Sequence, residues 1–316
     1  MSTFIIRHYF SNSIDEPELL TAIQHADFIT NKGIHIPELQ GYEYACYLNY
    51  ANSSIIDHNY YKSLSLEFNH KLQVRSFEIF ARNESGANLW RIIGYAKNPV
   101  LELDNGTAIS YKYTPGTSTD LVVYFDYSRL VSKVELHEEH CPRFGFKTDK
   151  HTLVISNNFG YWGTACLFDS MGKFVVPSIL KLINDLSEKH NIKRTFTIGG
   201  SQGGVAALVY GGLIHNCAAV HSCVPVIINK SSMLKHIGHL VNDEELWFAS
   251  QLLHNSLQTR NVHLYSTVGD PTVEYHKQLS SSAAHTQLHL CADSNIGHMD
   301  CLKYYIKDIY HSITQA

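Results

Sequence analysis

Ser201, Asp270 and His298 are residue types that could do chemistry together, and they occur in that order along the chain. A serine hydroxyl is a poor nucleophile at neutral pH. It becomes a good one when an imidazole takes its proton and a carboxylate orients that imidazole. Ser201 sits in Gly199-Gly200-Ser201-Gln202-Gly203, a G-x-S-x-G turn in which a strand passes at once into a helix and the hydroxyl projects. Glycine two places to either side suits such a turn, because a side chain there would strike the backbone where helix meets strand. The Gln202 N–H, at the start of the new helix, would point at a developing oxyanion. Asp270 lies on the turn Gly269-Asp270-Pro271, just after an expected strand at 262–268; capping the next helix is its other possible use. His298 follows Gly297 on a loop before the C-terminal helix, and Asp293 on the same loop is the rival acid. His215, His221 and His263 are weaker candidates for the base, since they fall in or beside regular elements. A second oxyanion donor is expected after the run at 121–125, from the backbone of Tyr127.

The elements around these residues alternate. Thr195-Phe196-Thr197-Ile198 reads as a buried strand and Val205-Ala206-Ala207-Leu208-Val209 as an apolar helix. Upstream, the runs at 121–125 and 152–156 suit strands buried on both faces. Val176, Ile179, Leu180, Ile183 and Leu186 share one helical face, with Pro177 in the first turn. Downstream come a short strand at 218–220, helices across 229–259, strands at 262–268 and 285–290, and helices at 274–279 and over Leu302 to Ile313. Such alternation predicts an α/β fold with a mostly parallel sheet and helices on both faces. A hairpin at 100–113, turning at Asp104-Asn105-Gly106, is expected at its edge.

The first residues read differently. A short helix is expected at 17–23 and strands at 42–50, 64–68 and 74–80, closing on the turn cluster Asn83-Glu84-Ser85-Gly86. The expected division is a β-rich N-terminal region over 1–86 and a second domain over 87–316. Tyr42, Tyr44, Tyr47 and Tyr50 read as a packing surface, with a carbohydrate-facing platform as the alternative.

Ser201, Asp270 and His298, with their flanking strands and helices, resemble the α/β-hydrolase superfamily over roughly residues 90–316. The histidine-glycine pair common in that superfamily's oxyanion loop is missing beside Tyr127. The β-rich leader, the loop Asn157-Asn158-Phe159-Gly160-Tyr161-Trp162-Gly163 and the Gly-Gly-Ser-Gln-Gly-Gly elbow together resemble acyl-transfer proteins of bacterial surface-polysaccharide and accessory-secretion loci. These resemblances imply a serine esterase or O-acyltransferase working on an acyl ester or acyl donor, with a carbohydrate as acceptor. Tyr161 and Trp162 are the expected substrate contacts, because sugar faces stack on aromatic rings. The alternative is a non-catalytic binding or assembly protein of the same fold. Possession of all three residues in order argues against it.

Other chemistries find little support. The formal net charge of -4 gives no reason to expect a nucleic-acid partner. His137-Glu138-Glu139-His140 lacks the zinc-helix spacing and runs into Pro142, so no metal is expected. No Walker A motif occurs, and the elbow glycines have the wrong spacing for a dinucleotide loop, so no cofactor is expected. Seven cysteines, an odd number with no C-x-x-C pair, suggest reduced thiols and a cytoplasmic location. No signal peptide and no membrane span are expected.

Overall fold

Period-two alternation builds the N-terminal part of the computed structural model, which describes residues 5–10, 32–50, 54–56, 59–68, 74–83, 88–95, 100–102, 108–126, 149–157, 164–168, 172–231, 234, 241–298 and 300–315. β1 (Ile5–Phe10), β3 (Tyr42–Tyr50), β4 (Ser54–Ile56), β6 (Val74–Asn83) and β7 (Asn88–Tyr95) form one antiparallel sheet in the order β1-β7-β6-β3-β4. β2 (Gly33–Ile36) and β5 (Leu64–Glu67) form a separate two-stranded ribbon. The register sets Tyr44, Cys46 and Leu48 opposite Ala81, Ile79 and Phe77. All six are buried, and Ile34 and Ile36 join them in one core. Tyr42 and Tyr44 therefore belong to packing and are not free to stack on a sugar. The helix expected at 17–23 lies outside the described residues.

The described residues divide into two units, one ending at Asn98 and one beginning at Pro99. A boundary at 86 leaves out Asn88–Tyr95, which pairs with both β1 and β6 and so belongs to the first sheet. Its run Leu89-Trp90-Arg91-Ile92-Ile93 has the aromatic and β-branched character of a strand.

The second unit comprises β8 (Val100–Glu102), β9 (Ala108–Thr114), β10 (Asp120–Phe125), β11 (His151–Ile155), α1 (Val176–Lys189), β12 (Arg194–Gly200), α2 (Gln202–Leu213), β13 (Cys217–Cys223), α3 (Asp243–Thr259), β14 (Val262–Thr267), α4 (Val273–Ser281), β15 (Thr286–Cys291) and α5 (Cys301–Gln315). Its sheet runs β15-β14-β13-β12-β10-β11-β9-β8. β10 to β15 are parallel, and the β8–β9 hairpin adds antiparallel strands beside β11. Counted from β8, the order across the sheet is first, second, fourth, third, then fifth to eighth. The G-x-S-x-G turn follows the fifth of these strands and opens a helix, the strand–turn–helix setting that such an elbow requires.

Alternation along β10 sorts its side chains to two cores. Leu121, Val123 and Phe125 pack with residues of α1, α2, α3 and α4. Val122 and Tyr124 join Ile306, Ile309 and Ile313 of α5. Both faces are thus covered, as parallel strands require. The helix expected around Met233, Ile237 and Leu240 falls largely outside the described residues. The described helix starts at Asp243, where the Asn242 side chain accepts the Glu244 N–H at 2.8 Å.

Candidate active site

The turn between β12 and α2 shows why its glycines are there. A Cβ on Gly199 would lie 2.0 Å from the Gly203 carbonyl oxygen, and one on Gly203 would lie 2.2 Å from that of Phe125. Only bare backbone lets α2 start this close to the sheet. Ser201 absorbs the reversal with φ 55° and ψ -120°, a conformation side-chain-bearing residues avoid. Its N–H still donates to the Cys223 carbonyl at 2.9 Å, extending the strand ladder by one residue. Its carbonyl already accepts from Gly204 and Val205, opening the helix. The Gln202 N–H, in the first turn, has no acceptor within the helix.

Loops after β14 and β15 bring two more groups to this turn. His298 Nε2 lies 2.8 Å from Ser201 Oγ, and its Nδ1 lies 2.7 Å from Asp270 Oδ2. Asp270 is ionised, so the imidazole proton belongs on Nδ1, donated to the carboxylate. Nε2 then holds a lone pair that accepts the Ser201 hydroxyl proton. The Asp270 side chain is fully buried, whereas that of His298 remains 23% exposed.

Asp270 is held from its other side as well. Thr272 donates to Oδ1 through its N–H at 2.7 Å and its hydroxyl at 2.6 Å. Burial pushes the carboxyl pKa up, but hydrogen bonds from His298 and Thr272 outweigh this and bring it down to about 2. Asp270 does not cap the helix: Thr272 holds the N-cap position with no side-chain cap bond, and Oδ1 instead closes a local turn onto Thr272 while Oδ2 holds His298. Asp293 is exposed and accepts instead from the N–H and side chain of Asn295. Behind Thr272 lies His276, fully buried. Its Nε2–H is 3.0 Å from the Pro225 carbonyl and 3.2 Å from Thr272 Oγ1, and its Nδ1 accepts from Ser266 Oγ at 2.8 Å. Burial lowers the His276 pKa against the opposing pull of the Pro225 carbonyl and Asp270, which favours a neutral ring.

Sequence reasoning missed Thr272, His276 and the surroundings of the Gln202 side chain. The triplet Asp270-Pro271-Thr272 carries a local signal for the first, since an aspartate often accepts from the residue two places on. His276 has none. Gln202 Oε1 accepts from Asn157 Nδ2 at 2.7 Å and from the Ala165 N–H at 3.1 Å. That tie links the serine turn to the segment 164–168. Phe168 forms a bridge with Phe174, whose ring lies 6.0 Å from that of Phe248 on α3. Phe248, Trp247, Asp243 and Glu244 line an open cavity of about 580 Å³.

Tyr127, Tyr161 and Trp162 lie outside the described residues, as does the segment His137-Glu138-Glu139-His140. Among the described residues, no group of three or more His, Cys, Asp or Glu side chains is placed to hold a metal ion. None of their helices is long and apolar enough to cross a membrane. Cys166, Cys217, Cys223, Cys291 and Cys301 form no disulfide.

No protein-family model matches the chain, and no curated protein matches it. Among solved structures it is similar to the capsule O-acetyltransferase of Neisseria meningitidis serogroup A, at 17% identity over 69% of this chain and 95% of that one, with a TM-score of 0.48. It is also similar to Est1E from Butyrivibrio proteoclasticus, at 11% identity over 69% and 96% of the two chains, with a TM-score of 0.47. A third is alpha/beta hydrolase domain-containing protein 10 from mouse, at 12% identity over 70% and 98%, with a TM-score of 0.46.

Proposed function

We propose that this chain is an enzyme that moves an acyl group through a covalent ester on Ser201, and that its acceptor is a carbohydrate hydroxyl, with water as the competing acceptor. One observation carries the reading: the continuous hydrogen-bonded line from Ser201 Oγ through His298 to Asp270. In it a nucleophile, a base and an orienting acid meet at hydrogen-bond distances.

The steps follow from the proton positions. Ser201 Oγ attacks the acyl carbonyl carbon as its proton passes to His298 Nε2. Asp270, ionised well below neutral pH, stabilises the imidazolium. The carbonyl oxygen gains a negative charge facing the Gln202 N–H at the positive end of α2. Collapse of the tetrahedral intermediate breaks the bond to the leaving alcohol, which takes the proton from His298. The acyl group then rests on Ser201. An incoming hydroxyl gives its proton to His298 Nε2 and attacks the acyl carbon, and a second collapse returns the proton to Ser201.

The carbohydrate part of the reading is supported by the cavity beside Trp247. An exposed indole next to two carboxylates suits a sugar ring, whose C–H face packs on an aromatic surface while its hydroxyls donate to carboxylate oxygens. The experiment is labelling with a fluorophosphonate probe, together with incubation with p-nitrophenyl acetate in the presence and absence of a polysaccharide acceptor. Mass spectrometry should find probe or acetyl on Ser201, and Ser201→Ala should abolish both. Undiminished labelling of that variant would remove the proposal.

A further inference from the structure

Gln202 is only 6% exposed, yet half of its side-chain amide meets no partner among the described residues. Its orientation is fixed by the partners around it. Backbone N–H groups can meet only the oxygen of a side-chain amide. Asn157 Oδ1 therefore faces the Thr164 and Cys166 N–H groups, at 2.9 and 3.2 Å, which leaves Asn157 Nδ2 to donate to Gln202. Gln202 Oε1 takes that bond and the Ala165 N–H. Two side-chain amides thus bind three consecutive backbone N–H groups, in a segment where Ala165 and Cys166 both hold a positive φ near 55°.

The amide oxygen of Gln202 is thereby committed, and its Nε2 carries two N–H donors that meet no acceptor among the described residues. A polar group on a nearly buried residue, next in the chain to Ser201 and without a partner among the described residues, is an arrangement that a bound acceptor completes.

We propose that Gln202 contacts substrate through its side chain, with Nε2 donating to an oxygen of the acyl group carried by Ser201, and that Asn157 is the positioning residue that fixes the amide in this sense. This rests on the acyl-serine reading. The ligand class is an acyl ester presenting an oxygen as acceptor on the Asn157 side of the serine. The same lock holds the residue whose backbone N–H faces the oxyanion, so the two donors of Gln202 are set together.

Gln202→Glu tests this. Glutamate has the same shape, and one of its oxygens can keep the bonds from Asn157 and Ala165, but it puts an acceptor where Nε2 was. Asn157→Ala does the opposite, leaving the donor and removing the lock. Turnover of p-nitrophenyl acetate is expected to fall about 100-fold in Gln202→Glu, the scale of losing one preorganised donor, with KM changing much less and the melting temperature held. Asn157→Ala should lose less turnover and more thermal stability, so the two variants rank oppositely in kcat and in Tm. If the pair only braces the loop, Gln202→Glu will turn over like the parent protein, which overturns the inference. Should Gln202→Glu fail to fold, Gln202→Met replaces it: it loses the lock as Asn157→Ala does, so kcat must fall well beyond that variant's or the inference fails. Fluorophosphonate labelling separates the two readings. An unlabelled parent protein would overturn the acyl-serine reading and this inference with it. A labelled parent whose Gln202→Glu variant is equally active would overturn only this one.

Discussion

At the scale of single residues, the two oxygens of Asp270 do different work. Oδ2 fixes the His298 ring, and Oδ1 is spent on Thr272. Asp270→Asn preserves shape but puts a donor where an acceptor is needed, and so favours the wrong imidazole tautomer. Turnover is expected to fall on the order of 10⁴-fold, as in the serine triad where this exchange is best understood. Asp293→Asn should stay within about twofold of the parent, since surface changes away from such features have small effects. Steady-state hydrolysis of a p-nitrophenyl ester ranks the two, and the reverse order would move the acid onto the loop of His298 itself. Part of this site can be read from the chain alone. The need for Gly199 is local, because a Cβ there would strike Gly203 across one turn, whereas Gly203 is needed for its approach to Phe125 on β10. Asp270 and His298 each follow a strand that reads as a strand. The Asn157–Gln202 pair is not legible, because its partners are 45 residues apart and meet only when β11 and β12 flank β10 in one sheet.

At the scale of elements, legibility follows burial. β10 and β12 are buried along almost their whole length; β10 carries the apolar run at 121–125, and β12 places Phe196 and Ile198 between buried threonines and glycines. β1, β2 and β4 are short strands whose existence depends on what they pair with, and their composition carries little signal. α3 belongs to a third kind, a helix whose outer face is more apolar than solvent alone would select. Ala249, Leu253 and Leu257 serve the core, but Trp247 is 64% exposed and Phe248 48%. An exposed indole contributes little to folding, so Trp247→Ala should leave the melting temperature within a few degrees. If its face holds a sugar, transfer to a polysaccharide should fall at least tenfold more than cleavage of p-nitrophenyl acetate, because remote binding energy serves only the larger substrate. Equal losses on both substrates would leave the acyl chemistry without a carbohydrate partner at this cavity.

At the scale of the whole molecule, the histidines matter most. Read along the chain they look scattered, and His221 and His263 draw attention only as weak rivals to His298. The parallel register of β13, β14 and β15 stacks them. His221 lies opposite His263, with ring centres 5.0 Å apart and planes 8° from parallel, and His289 follows at 5.3 Å from His263. Tyr265 joins through its hydroxyl, 3.0 Å from His221 Nδ1, and the Tyr305 ring of α5 lies tilted against Tyr265 at 4.9 Å. Three imidazoles this close, with His221 fully buried and His263 and His289 partly buried, resist protonation. Burial, reinforced by the neighbouring rings, brings the pKa of His221 down to about 3. Burial also lowers His263, with His289 adding to the effect, and lowers His289 itself against the pull of Asp308. In each case the folded value lies below the unfolded value of about 6.5, so the unfolded chain binds more protons throughout the interval between them. The stabilisation is complete above the unfolded value and is lost as pH falls from about 6.5 toward 3. Asp270 adds its own loss lower down, between about 4 and 2, because its folded value also lies below its unfolded one. The urea midpoint should therefore be highest above pH 7 and fall steadily from pH 6.5 to 4.5, a range in which an ordinary carboxylate-dominated protein changes little. His221→Phe removes the most buried of the three titrations while keeping a ring in the stack, and should flatten that slope. A midpoint constant between pH 7 and 4.5 in the parent protein would mean that the stack takes up protons without opening.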